Sequence, residues 1–245
     1  MNVNLTKFGD LNCRLVGAEG QSPQTLVILC HGFGAPGHDL VGLAPAVFQL
    51  APNLVGKVAF AFPEAPLTLD FAGFGQARAW WYLDLEAIEH SRMMGLERSL
   101  AEEEPEGLER AYNLLKETCM GLLEHLGLGL EHLILGGFSQ GAMVTTDLAL
   151  HLPVGPQELY IFSGNLLHAK RWNPRIAARG SMEVFISHGM QDPILPYTGS
   201  EALATVLQDH QANLEFLPFE GGHTIPQEAV RRLAERLSER CGTTG

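Results

Sequence analysis

The sequence predicts an α/β fold: a mostly parallel sheet covered by helices on both faces, with no large cap domain. Short apolar runs alternate with helix-period stretches from end to end, the order expected when each buried strand returns through a helix. Several of these runs, TLVILC at 25–30 foremost, are apolar throughout rather than at every second residue, as strands buried on both faces must be. No internal repeat, low-complexity segment or linker-like composition interrupts the pattern, so a single domain over 1–245 is the simplest organisation.

The first strand, 12–16, is weak, with Asn12 and Arg14 among its apolar residues. The runs 25–30 and 57–62 (KVAFAF) are stronger, and 40–50 between them reads as a helix. The longest helix covers 105–126, where Leu108, Tyr112, Leu115, Cys119, Leu122 and Leu126 recur at steps of three and four and so line one face. The acidic run 102–104 ahead of it suits the positive end of that helix. Then follow strand 132–136, helix 140–150, strands 158–163 and 183–187, helix 200–210, strand 213–218 and helix 227–240.

Sixteen Lys and Arg against 28 Asp and Glu leave a formal charge of −12. Such a chain is repelled by phosphate backbones and by anionic membrane surfaces, which argues against nucleic-acid binding. No window approaches the roughly 18 uninterrupted apolar residues of a membrane span, so stable membrane insertion is not expected. Residues 1–17 mix Asn, Lys, Asp and Arg with apolar residues and lack the regions of a secretory signal. Cys13, Cys30, Cys119 and Cys241 lie far apart with no C-x-x-C, the usage of reduced thiols in a cytoplasm.

The segment HLILGGFSQGA, from His132 to Ala142, places Gly137-Phe138-Ser139-Gln140-Gly141 between a buried strand and a helix. This is G-x-S-x-G in the strand, turn and helix context that the motif requires. A serine on so tight a turn carries its hydroxyl clear of the sheet, and glycines two places either side let the two backbones approach.

A serine hydroxyl needs a base, and the base needs a group that fixes its tautomer. In chain order after Ser139, His151 and His210 end helices, His168 lies in a polar loop, and His188 would precede its own acid. His223 follows strand 213–218 in the turn Glu220-Gly221-Gly222-His223, where two glycines permit a sharp return over the sheet. Asp147 and Asp209 fall within helices and are expected to face solvent. Asp192, in SHGMQDP directly beyond a strand end, has its geometry restricted by Pro193. Ser139, Asp192 and His223 therefore occupy loops on one rim of the sheet.

The loop His31-Gly32-Phe33-Gly34-Ala35-Pro36-Gly37-His38-Asp39 follows strand 25–30. An oxyanion hole in this arrangement takes one amide from such a loop and one from the residue after the nucleophile, here Phe33 and Gln140. His31, His38 and Asp39 could suggest a metal site, but they lack a third histidine at helical spacing and any H-E-x-x-H. No metal and no organic cofactor is implied.

LCHGFGAPGHD (29–39), FPEAP (62–66), RAWWYLD (78–84), GGFSQGA (136–142), FSGNL (162–166), SHGMQDPILPY (187–197) and GGHTIP (221–226) occur in this order over nearly the whole chain. Together they resemble the α/β-hydrolase branch of small carboxylesterases and acyl-protein thioesterases, the phospholipase/carboxylesterase family. The resemblance implies the α/β-hydrolase fold, Ser139, Asp192 and His223 as the triad and Phe33 with Gln140 as the hole, in agreement with the reading of the residues. It also implies a small ester or thioester substrate, an acylated protein or a lysophospholipid, cleaved through an acyl-enzyme. Two departures bear on substrate choice: Phe33 stands where the family more often has Leu, and 84–109 is longer and more acidic.

Residues 67–83 hold Leu67, Leu69, Phe71, Phe74, Trp80, Trp81 and Tyr82 with two glycines between them. Phe71, Phe74, Trp80 and Trp81 are expected at the acyl-binding wall, with a core role as the competing reading for the tryptophans. The rival functions are a peptidase on the same fold and a non-catalytic binding protein that keeps the pocket.

Overall fold

The computed structural model describes residues 3–18, 20–69, 76–84, 86, 93–94 and 99–242. Its strands are β1 (Asn4–Phe8), β2 (Leu11–Val16), β3 (Thr25–Cys30), β4 (Val58–Pro63), β5 (Leu67–Thr68), β6 (Arg78–Ala79), β7 (Leu133–Phe138), β8 (Glu158–Phe162), β9 (Glu183–Gly189) and β10 (Asn213–Phe219). The helices are α1 (Leu43–Leu50), α2 (Leu108–Leu126), α3 (Gln140–His151), α4 (Ala169–Arg179), α5 (Tyr197–Asp209) and α6 (Gln227–Gly242). The central sheet has eight strands in the order β1-β2-β4-β3-β7-β8-β9-β10, while β5 and β6 pair separately. From β4 to β10 every neighbouring pair is parallel, and β1 and β2 add an antiparallel edge.

Side chains alternate between two cores across this sheet, as the two-residue period of a strand dictates. Leu26, Ile28, Leu135, Ile161 and Ile186 join the buried residues of α2, α3, α4 and α5 on one face. Val27, Leu29, Ile134, Phe162 and Phe185 join those of α1 and α6 on the other. The central strands are therefore apolar throughout, and the edge strand β10 is only partly buried. Among the described residues no helix is long and apolar enough to cross a membrane.

Several elements depart from the sequence expectation. Strand β1 was not expected, because four of its five residues are exposed and its polar composition carries no alternation. The long helix begins at Leu108 after Gly107, which adopts φ 98°. The acidic run 102–104 thus ends before the helix, and Glu109 occupies its first turn.

Helix α4 replaces an expected polar loop. Only Trp172 and Ile176 of its eleven residues are buried, four positions apart on one face, and Pro174 lies inside it, so its apolar signal is short and interrupted by a residue that usually ends a helix. What holds it is Asp147, which was expected to face solvent and is instead fully buried in α3. Arg171 donates to both its oxygens (Nε 2.7 Å, Nη2 2.9 Å) and Trp172 Nε1 donates to Oδ1 at 2.9 Å. A carboxylate so buried must be paired and hydrogen-bonded, and α4 supplies both partners.

Candidate active site

Ser139 joins β7 to α3 with φ 56° and ψ −121°, a conformation that costs a non-glycine residue about 1–3 kcal/mol. The surrounding backbone enforces it. Ser139 N–H donates to the Phe162 carbonyl at 2.9 Å, and Met143 N–H donates to the Ser139 carbonyl at 3.2 Å. A Cβ at Gly137 would lie 2.4 Å from the Gly141 carbonyl carbon, and one at Gly141 only 2.0 Å from the Cys30 carbonyl oxygen. Strand and helix close on this turn because both glycines lack a side chain. Ser139 is 8 % exposed.

The loop after β9 carries Asp192, whose side chain is fully buried. Its Oδ1 accepts the amides of Ile194 (2.8 Å) and Leu195 (2.9 Å), and its Oδ2 lies 2.6 Å from His223 Nδ1. Burial alone would raise this carboxyl, but hydrogen bonds from His188 and His223 and the Leu195 amide hold it well below the usual carboxylate range.

The loop after β10 is laid directly on that loop. Gln191 N–H donates to the Gly221 carbonyl at 3.0 Å, and Ser163 Oγ donates to the Thr224 carbonyl at 3.2 Å. A Cβ at Gly189 would lie 2.3 Å from the Gly222 oxygen. The His223 ring then sits 4.6 Å, centroid to centroid, from the ring of Phe138, the residue before Ser139. Three loops separated in sequence thus converge at one rim of the sheet.

Loop 31–38 approaches from the other side of the serine, where a Cβ on Gly32 would meet Ser139 Cβ at 3.2 Å. Gly34 N–H donates to the Arg78 carbonyl (2.8 Å) and Arg78 N–H to the Ala35 carbonyl (3.1 Å), so β6 splints this loop. Neither the Phe33 nor the Gln140 amide donates to an acceptor among the described residues. The Gln140 side chain has a separate task that sequence reasoning missed. Buried in the core, its Oε1 accepts Trp80 N–H and its Nε2 donates to the Trp81 carbonyl, both at 2.9 Å.

Trp80 and Trp81 are each 1 % exposed within the core, and Trp80 Nε1 donates to the His31 carbonyl at 2.9 Å. They buttress the turn and loop 31–38 from below. Phe71 and Phe74, the other expected acyl-wall residues, lie outside the described residues. His31 is committed internally: Nδ1 pairs with the Gly32 carbonyl at 2.9 Å and Nε2 accepts Ala65 N–H at 3.1 Å. Burial lowers its proton affinity accordingly. Two polar cavities lined by Glu64 and Arg78 do not include Ser139, Asp192 or His223.

The other histidines weighed from sequence occupy helix ends. His151 closes α3, His210 follows α5 and His168 precedes α4. His188, which chain order disfavours as a base, contacts Asp192 Oδ2 at 3.3 Å. Its only sequence signal is the i, i+4 spacing from Asp192 within SHGMQD.

The phospholipase/carboxylesterase family model matches residues 11–240. Acyl-protein thioesterase 1 of Kluyveromyces lactis is 27 % identical over 235 residues, covering 94 % of this chain and 97 % of the relative. Acyl-protein thioesterase 1 of Eremothecium gossypii is 31 % identical over 191 residues, covering 77 % and 74 %. The crystal structure of esterase PE8 superposes with a TM-score of 0.76 at 28 % identity, covering 94 % of this chain and 98 % of that one. A carboxylesterase from Mesorhizobium loti, at 18 % identity and TM-score 0.69 over 97 % and 99 %, shares the fold.

Proposed function

The chain belongs to the phospholipase/carboxylesterase family, and from that premise we propose that it is a serine hydrolase cleaving carboxylic esters or acyl thioesters with Ser139, Asp192 and His223 as its triad. The observation that carries this reading is the 2.6 Å contact between His223 Nδ1 and Asp192 Oδ2, beside a serine held at positive φ. An ionised Asp192 only accepts, so Nδ1 carries the proton and Nε2 is left bare to take the proton of Ser139 Oγ.

Ser139 Oγ attacks the carbonyl carbon as its proton passes to His223 Nε2. The developing oxyanion is received by the Phe33 and Gln140 amides at the N-terminus of α3, where each donor contributes about 3–4 kcal/mol of barrier lowering by analogy with other acyl-transfer sites. His223 then protonates the departing alkoxide or thiolate. Water, deprotonated by the same imidazole, releases the acid from the acyl-serine.

The relatives' names and the charge support one substrate class over others. The names acyl-protein thioesterase and esterase support esters and thioesters, acylated protein included. A net charge of −12 disfavours an anionic lipid surface as the workplace, leaving soluble esters, thioesters or dispersed lysophospholipid ahead of packed lipid. In this reading Phe71 and Phe74 form the acyl wall.

A fluorophosphonate probe should label the native protein once, and Ser139→Ala should abolish the label without altering the melting transition. Labelling that survives in Ser139→Ala would overturn the assignment. Rates on p-nitrophenyl esters, acyl thioesters and aminoacyl amides separate the classes, with turnover of the first two and not of the amides expected.

A further inference from the structure

A second imidazole reaches the same carboxylate oxygen as His223. His188, near the end of β9, has a fully buried side chain whose Nε2 lies 2.9 Å from the Leu195 carbonyl oxygen and 3.3 Å from Asp192 Oδ2. Both neighbours only accept, so Nε2 carries the proton. Nδ1 has no partner among the described residues. The opposite tautomer would be worse, with a bare Nε2 against two oxygens and a buried N–H with no acceptor. An apolar ring of similar volume would avoid the orphaned nitrogen altogether, so the imidazole is explained by what its N–H does for Asp192.

With this contact the carboxylate is fully engaged. Oδ1 takes the Ile194 and Leu195 amides, and Oδ2 takes His223 and His188. Leu195 serves twice, its N–H holding Oδ1 and its carbonyl orienting His188, so one turn sets both partners.

We propose that His188 is a positioning residue for hydrolysis: by sharing its Nε2–H between the Leu195 carbonyl and Asp192 Oδ2, it fixes the plane of the carboxylate and disperses charge on the oxygen that binds His223. The proposal rests on the reading of Asp192 and His223 as a catalytic pair. His188 itself touches no substrate. Without it the charge on Oδ2 concentrates on His223, and the carboxylate is freer to rotate away. The other titratable groups nearby are Tyr197 of α5, whose ring is 6.0 Å from that of His188, Glu201, which couples to Tyr197, and Glu220, which accepts from Gln191. All are unchanged in the variants below.

His188→Phe keeps the volume and removes the donor, whereas His188→Gln can return an N–H near the position of Nε2. In His188→Phe, kcat should fall about tenfold with KM nearly unchanged, and the acid limb of the pH profile should move up by about half a unit. His188→Gln should recover most of the loss and the parental limb. A parental kcat and limb in His188→Phe, or equal losses in both variants, would overturn the proposal. Nitrogen NMR of the unaltered protein at pH 8 decides the matter even if the variants do not fold: His188 should be protonated at Nε2 and bare at Nδ1, and the reverse tautomer is incompatible with the role. If the unaltered protein neither turns over esters or thioesters nor takes the serine probe, it is the hydrolase reading that fails. Turnover with an indifferent His188→Phe removes only the role of His188.

Discussion

Replacing Asp192 with Asn changes one atom and sets four hydrogen bonds against each other. The carboxylate now accepts from the Ile194 and Leu195 amides through Oδ1 and from His223 and His188 through Oδ2. In Asp192→Asn the carbonyl oxygen keeps the two amides, at 2.8 and 2.9 Å, and the new NH₂ faces two ring nitrogens that also donate. His223 can escape only by moving its proton to Nε2, where the base has to be empty. By analogy with the same change in a serine protease, kcat should fall by about 10⁴, or about 5.4 kcal/mol of barrier. Loss of the charge-assisted bond to His223 should cost about 1.5–3 kcal/mol of stability, lowering Tm by about 3–12 °C for a chain of this length. Because the donors around Asp192 depress its folded pKa, that stabilisation is complete above the ordinary aspartate value of about 3.9 and fades as pH falls below it. The Tm gap between parent and variant should therefore narrow below about pH 4. Steady-state kinetics on a p-nitrophenyl ester and melting curves from pH 7 to pH 3 test both halves. An unchanged kcat with a raised KM would make Asp192 a binding residue, and a Tm gap indifferent to pH would refute the electrostatic account.

Four further outcomes are expected. The acid limb of kcat/KM should have a slope of one, since Asp192 stays ionised while His223 takes up its proton; a slope of two would mean that both titrate together. Gly141→Ala should cost at least about 3 kcal/mol, because its Cβ would lie 2.0 Å from the Cys30 carbonyl oxygen, whereas Gly42→Ala, with nothing within 4 Å, should leave Tm unchanged; comparable melting of the two would contradict the close-approach argument. The cysteines should resist a thiol reagent at pH 8 until the protein is denatured, since all four are buried and burial pushes the Cys13 and Cys119 thiols up to about 12; rapid reaction of the native protein would exclude that environment. Phe71→Ala and Phe74→Ala should lower kcat/KM more for long acyl esters than for acetyl esters, because each methylene lost from an apolar pocket costs about 0.8 kcal/mol; equal losses at all chain lengths would place the acyl chain elsewhere.

The sequence by itself determined the features that chemistry ties to local spacing. Buried strands of five to seven residues need unbroken apolar runs, so β3, β4, β7, β8 and β9 could be read with their order. The turn at Ser139 needs glycine at 137 and 141 because backbone carbonyls occupy the space of a side chain there, which makes G-x-S-x-G readable without coordinates. Asp192 and His223 were legible because each follows a strand and precedes a helix, and strand ends on a parallel sheet gather at one rim.

Tertiary structure alone decided everything that depends on which groups a buried charge meets. Asp147 looks like any polar residue on a helix until Arg171 and Trp172 arrive from 24 and 25 positions away, and the short stripe of Trp172 and Ile176 on α4 says nothing of that pairing. The motif points to Gln140 only through its amide, yet its side chain clasps residues about 60 positions earlier. For Trp80 and Trp81 composition allows a substrate wall or the core, and both side chains are 1 % exposed in the core, since an aromatic residue serves either place and only the surrounding volume selects. His188 could be weighed from sequence as a base but not as a second donor to Asp192. Hydrogen-bond partnership depends on ångström distances across the fold, and a hydropathy pattern records only which side of an element is dry.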